Sequence, residues 1–142
     1  MVDAKQFSDA VWAGDLATVD SMIADGANVD VADAPRDRPL HLAIEQRWIE
    51  IVRRLVEAGA SINTNSEDGW TPLVHAIDIE SDAAWQSHYE RGHESTELTK
   101  LLLEAGAIPT EHAIKTAQDY NNYKAMELLG QYLSNSRIIP ST

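Results

Sequence analysis

The chain has 142 residues, 44% of them hydrophobic, with 11 basic and 23 acidic side chains and a net charge of −12. That length is one domain's worth with room for a real core, and no apolar run approaches the roughly 18 residues of a membrane span. The charge disfavours nucleic acid and anionic membranes as partners, and two readings of it stand: a basic protein partner, or solubility alone. With no cysteine there is neither a disulfide framework nor thiolate chemistry. Residues 1–10 lack the basic and apolar regions of a signal peptide, so a cytoplasmic location is the expectation.

In chain order, the first pattern is around Phe7, Ala10 and Val11, followed by Val19, Met22 and Ile23 and then Gly26-Ala27. Residues 36–63 restate it more fully. Pro39-Leu40 opens a short helix with Leu40, Ala43 and Ile44 on one face; Ile51, Val52, Leu55 and Val56 mark a second helix, and Gly59 stops it. Two short amphipathic helices cannot bury their apolar faces alone, so the unit needs copies beside it. The pair Gly59-Ala60 lies 33 residues after Gly26-Ala27, and Gly106-Ala107 a further 47 on. Ala10, Ala43 and Ala76 fall in step with this period, with Ala117 in that place in a fourth unit. Self-similarity of this kind predicts a stacked array.

The stretches RPLHLAI (38–44), IVRRLVEAGASIN (51–63) and DGWTPLVHAI (68–77) resemble ankyrin repeats, over nearly the whole chain from Phe7 to Leu133. The resemblance implies an all-α solenoid of stacked helix pairs with short β-hairpin fingers along one edge and a concave binding face beside them. One domain is expected over 1–142, with repeats at 4–32, 33–65, 66–109 and 110–133 and a tail at 134–142. Finger hairpins are expected near Asn28–Arg38 and Ser61–Trp70, both turn-rich and polar with alternating Val or Ile. In the family the histidine of the TPLH-like motif ties adjacent repeats by hydrogen bonds, which implies that role for His41; His75 is a second candidate.

Thr71 is suited to cap the helix that follows, with Pro72 at its first turn. Arg38 replaces that capping threonine in repeat two and Arg36 the usual glycine. Two readings stand: drift costing about 1 kcal/mol of cap, or a cationic contact point. The second helices are expected to open at Asp15, Trp48, Ser95 and Asn122, all good N-caps but Trp48. Its indole either packs on the neighbouring repeat or serves as an exposed anchor. Trp70, following Gly69, is expected at an exposed finger position and so is the prime aromatic anchor. Thr110 is a candidate cap for a tightly docked last unit acting as the C-terminal lid.

Repeat three carries an insertion between its helices, residues 80–93, with Trp85, Tyr89 and two histidines. His88 and His93 lack the HExxH spacing and, five residues apart, do not share a helical face, so no metal is assigned. No phosphate-binding glycine loop, cysteine nucleophile or GxSxG motif is present, and no enzyme activity or cofactor is expected. Carboxylates such as Glu67-Asp68 and Asp78/Glu80 read as a solvated face. The expected activity is protein binding through Arg36, Asp37, Arg38, Glu45, Gln46, Trp48, Glu67, Asp68, Trp70, Asp78, Ile79 and Trp85. Alternatives are an inhibitor or immunity-type protein that occludes a basic enzyme or toxin, and a small-molecule binder or enzyme using the insertion as a lid. A monomer is expected. End-to-end stacking is the other possibility, resting on exposed apolar residues at the terminal repeats: Phe7, Val11 and Trp12.

Overall fold

The computed structural model describes residues 3–31, 38–64, 69–86 and 95–138, with side chains omitted at 84–86 and 135–138. They form helices α1 (Ala4–Ala13), α2 (Leu16–Ala24), α3 (Pro39–Glu45), α4 (Ile49–Glu57), α5 (Pro72–Gln86), α6 (Glu97–Glu104), α7 (Glu111–Asp119) and α8 (Tyr123–Ile138). Each odd helix pairs with the even helix after it. Odd helices pack in one row and even helices in another, and the odd row is the tighter. The stack therefore fans outward from the odd helices, which line the inside of the curve. No strand occurs among the described residues, and the centres of both expected fingers, 32–37 and 65–68, lie outside them.

The repeated glycine-alanine pairs have a geometric cause. At the end of α4, Gly59 takes φ 95° and donates its N–H to the Val56 carbonyl, while Ala60 N–H reaches the Leu55 carbonyl. This double bond closes the free carbonyls of the last turn, and it needs a left-handed residue where glycine is unstrained. Gly26-Ala27 and Gly106-Ala107 repeat it on α2 and α6. The same turn ends the first helices, with Asp15, Trp48 and Asn122 donating to the carbonyls of Ala10, Ala43 and Ala117. The left-handed residue is Gly14 in the first, Arg47 (φ 59°) in the second and Asn121 (φ 53°) in the last. The small residues are buried at the crossings of paired helices, Ala43, Ala76 and Ala117 completely.

Side chains tie neighbouring repeats together at the same period. Asp30 accepts from the Ser61 N–H at 2.9 Å and from its hydroxyl at 2.8 Å. Thirty-three residues later Asn63 accepts from the Ile108 N–H at 2.8 Å and donates to the Gly106 carbonyl at 3.1 Å. Between the even helices, Arg54 of α4 reaches Asp20 of α2 at 2.7 Å.

Several expectations need correction here. Phe7 and Val11 are completely buried, because α1 turns that face onto α3; they offer no sticky end for stacking copies. Residues 134–138 continue α8 instead of fraying. Glu80 is not part of a solvated face, and Ser81 beside it is buried too. The first helix of repeat three runs on to Gln86, carrying both into the core, at 4% and 3% exposure.

Glu80 joins Ser95 in capping α6, where the Ser95 hydroxyl accepts from the Glu97 N–H at 3.4 Å. Thr96 stands at that helix's N-cap position but makes no side-chain cap bond. The Glu80 carboxylate supplies it instead, accepting from Leu98 N–H at 3.0 Å, Thr99 N–H at 3.1 Å and the Thr99 hydroxyl at 2.7 Å. Ser95 adds its hydroxyl at 3.2 Å. A carboxylate at a helix N-terminus meets both the free N–H groups and the positive end of the dipole. Thr71, Thr110 and Asn122 cap their helices as their residue types predict, through Val74, Ala113 and Ala125. Arg38 provides no cap.

Candidate functional site

The face open to a partner is the surface of the odd helices, two residues beyond each crossing alanine or its equivalent. That register holds Trp12, Glu45, Asp78 and Asp119 on α1, α3, α5 and α7. Glu45 and Asp119 are exposed and Asp78 is half-buried. Asp78 accepts from the Tyr120 hydroxyl at 2.8 Å, a bridge between repeats. Burial, that hydrogen bond and the negative charges of Asp78 and Asp82 together push the Tyr120 hydroxyl above the ordinary phenol range. Asp119 pairs with Lys115 at 3.2 Å on its own helix. Gln46 and Ile79 follow Glu45 and Asp78 in the chain and are half-buried.

Trp48 is 38% exposed, and it packs on the preceding repeat. Its indole N–H donates to the Trp12 carbonyl at 3.0 Å, and its ring lies so close to Gly14 that an added Cβ would stand 2.7 Å from it. Gly14 thus has two reasons to be glycine, its φ of 76° and the ring above it. Gly14→Ala should cost about 2 kcal/mol, of which about 1 is left-handed strain. In a Trp48→Ala background the penalty should fall to the strain alone, as a urea-denaturation double-mutant cycle would measure. Equal penalties in both backgrounds would mean that the ring moves aside freely.

Trp70 does not stand exposed on a finger. It is half-buried against the core, with its indole N–H donating to His75 Nδ1 at 2.8 Å. Its ring meets His75 edge-on at 5.7 Å and His112 at 5.9 Å, while His75 meets His41 at 5.3 Å. The physical reason is that first helices from three neighbouring repeats converge beneath it and provide the packing surface that a finger tip lacks. His41 and His75 are both buried and their rings meet across the repeat boundary, while the hydrogen bond between Trp70 and His75 stays within one repeat. The Trp70 bond makes Nδ1 of His75 an acceptor and places the ring proton on Nε2.

Arg38 is half-buried at the start of α3. Arg36, Asp37, Glu67 and Asp68 lie outside the described residues, as does the side chain of Trp85, whose backbone continues α5. The same holds for His88 and His93; among the described residues no group of three metal-ligating side chains comes together. The residue that the sequence reading left out of the contact set is Trp12, 47% exposed at the head of the acidic register. Counting two places on from Ala10, Ala43 and Ala76 finds it, since that step lands on Trp12, Glu45 and Asp78.

A family model described as ankyrin repeats (3 copies) matches residues 7–107. The chain is 35% identical over 99 residues to a 26S proteasome non-ATPase regulatory subunit 10 of Dictyostelium discoideum, covering 68% of this chain and 37% of that protein. It is 29% identical over 102 residues to the potassium channel AKT1 of Arabidopsis thaliana, covering 68% of this chain and 12% of the channel. The chain thus spans little more than a third of the first relative's length and about an eighth of the second's.

Proposed function

Because the chain belongs to the ankyrin-repeat family, we propose that it is a non-catalytic scaffold that receives a protein partner with a basic surface along its odd-helix row. A role in protein–protein interaction follows from the repeats themselves. The matched regulatory subunit, a component of an assembly by its name, is in keeping with it. The basic partner is our own step.

The observation that carries the reading is the carboxylate at one register position of three successive helices: Glu45, Asp78 and Asp119. Glu45 has no ion-pair partner among the described residues. An unpaired exposed acid in a chain of charge −12 steers a cationic surface toward this face and raises the association rate more than the affinity. The scaffold is preorganised by the Asp30–Ser61, Asn63–Ile108 and Tyr120–Asp78 bridges, so little ordering cost is left for binding. No described helix is long and apolar enough to cross a membrane.

The test is affinity capture from native extract with the immobilised chain at low and raised salt, reading retained proteins by mass spectrometry. A basic protein lost as salt rises is the expected result. Retention of neutral or acidic partners alone, indifferent to salt, would refute the electrostatic part of the proposal.

A further inference from the structure

The acidic row begins with an aromatic residue, and that order specifies more than charge. Trp12, Glu45, Asp78 and Asp119 occupy one register of four consecutive first helices. Trp12 is 47% exposed, and its carbonyl is held by the indole of Trp48, which fills the space over Gly14. Trp48 is therefore the support and Trp12 the free aromatic face. The next three positions along the row are carboxylates, with Asp82 one turn beyond Asp78 on α5. Neighbouring packed helices lie about 8–10 Å apart, so the row is a ruler with one mark about every 10 Å.

We propose that Trp12 anchors a linear basic segment of the partner, which lies along this row with one apolar side chain on Trp12 and cationic side chains at about 10 Å intervals facing Glu45, Asp78 and Asp119. This rests on the scaffold reading and adds the partner's chemistry and register. A polyproline-II chain has three residues per turn and rises about 3.1 Å per residue, so every third side chain returns to the same face about 9 Å on, and that is the matching spacing. Charge complementarity selects the occupant: a neutral apolar segment would cover Glu45 without a partner and desolvate Asp78 and Asp119, and a second copy of this acidic chain would bring like charge against them. The indole face itself favours a segment whose apolar residue is flanked by a cation.

The probes are fluorescein-labelled synthetic peptides binding to the full chain, read by fluorescence anisotropy. Two carry one apolar residue and three arginines at every third position, in the two chain directions. A control of identical composition carries the arginines side by side. One spaced peptide should bind at least about tenfold more tightly than the control. Trp12→Ala should weaken it by about 30-fold, the scale of a binding hot spot, with an unchanged circular dichroism spectrum. Glu45→Lys should also weaken it. Raised salt should reduce binding but leave a residue of it that depends on Trp12.

Equal binding of spaced and clustered peptides, no effect of Trp12→Ala, or no binding of any peptide would each overturn the register. A failure here with a salt-sensitive basic partner still captured from extract leaves the scaffold reading standing and removes only this one. Failure of both removes both.

Discussion

Replacing Glu80 by alanine should destabilise the chain by about 4 kcal/mol, measured by urea denaturation. The carboxylate is nearly inaccessible and serves four donors, two of them the N–H groups of Leu98 and Thr99. Those two residues are themselves buried, so water does not replace the lost acceptor. Orphaned buried donors cost about 1–3 kcal/mol each, and hydrogen bonds to a charged group are the stronger kind. Helix α6 would keep only the long Ser95–Glu97 bond at its start while still having to seat Leu98, Leu102 and Leu103 in the core. Glu80→Gln should cost about half as much, because its amide oxygen can accept from one set of donors while its NH2 opposes the other. A loss below about 1 kcal/mol for alanine would mean that the helix recaps itself from Ser95 or Thr96.

The pH dependence has a definite sign. Burial pushes the Glu80 carboxyl above its ordinary value, against the lowering effect of Thr99, Leu98 and Ser95. The folded chain therefore holds this proton more tightly than the unfolded chain. Its contribution is fully present below the unfolded value near 4.5 and is lost as pH rises through the folded value. The stability difference between wild type and Glu80→Gln, which does not titrate, should accordingly shrink as pH rises across that window. A difference that grows with pH would show that the helix N-terminus outweighs burial and depresses the group.

The second large effect is at the other end of the chain. Phe7→Ala should cost about 3–5 kcal/mol. The ring is completely buried on a helix that, among the described residues, packs chiefly on α2 and α3 at the head of the stack. In a one-dimensional array each repeat depends on the interface with its neighbour, so loss of this ring removes much of what holds repeat one to repeat two. Urea denaturation should show a lower midpoint, and amide exchange should accelerate first in α1 and α2. Protection confined to α3–α8 in the wild type itself would place repeat one outside the cooperative unit.

Much of this architecture was legible in the chain because it is local or periodic. The pairs Gly26-Ala27, Gly59-Ala60 and Gly106-Ala107 announce where helices stop, since the left-handed turn that ends them is a property of a few consecutive residues. The alanines at 10, 43, 76 and 117 mark the crossings, because only a small side chain lets paired helices approach. Thr71, Thr110 and Asn122 could be read as caps from residue type and position alone. Period, turn chemistry and cap residues all pointed to one stack, and that agreement is what made the fold readable.

What the tertiary structure decided are the contacts between repeats, which depend on distances across helices far apart in sequence. Trp70 looked like an exposed anchor because its nearest local partner, His75, covers one side of the ring alone; His112, brought in from α7, closes on it from the next repeat. Glu80 looked like one acid among many, and only the approach of α6 turns it into that helix's cap. Phe7 looked exposed until α3 covered it. Trp12 kept its exposed face because Trp48 packs on the backbone beside it at Gly14 and not on its ring. The sequence by itself determined the repeat, the glycine-alanine helix stops and the acidic composition, since each follows from residues within one turn or one period. Which aromatic is buried and which is offered to a partner was settled by the neighbouring repeat, because burial is a property of two surfaces and a single segment carries only one.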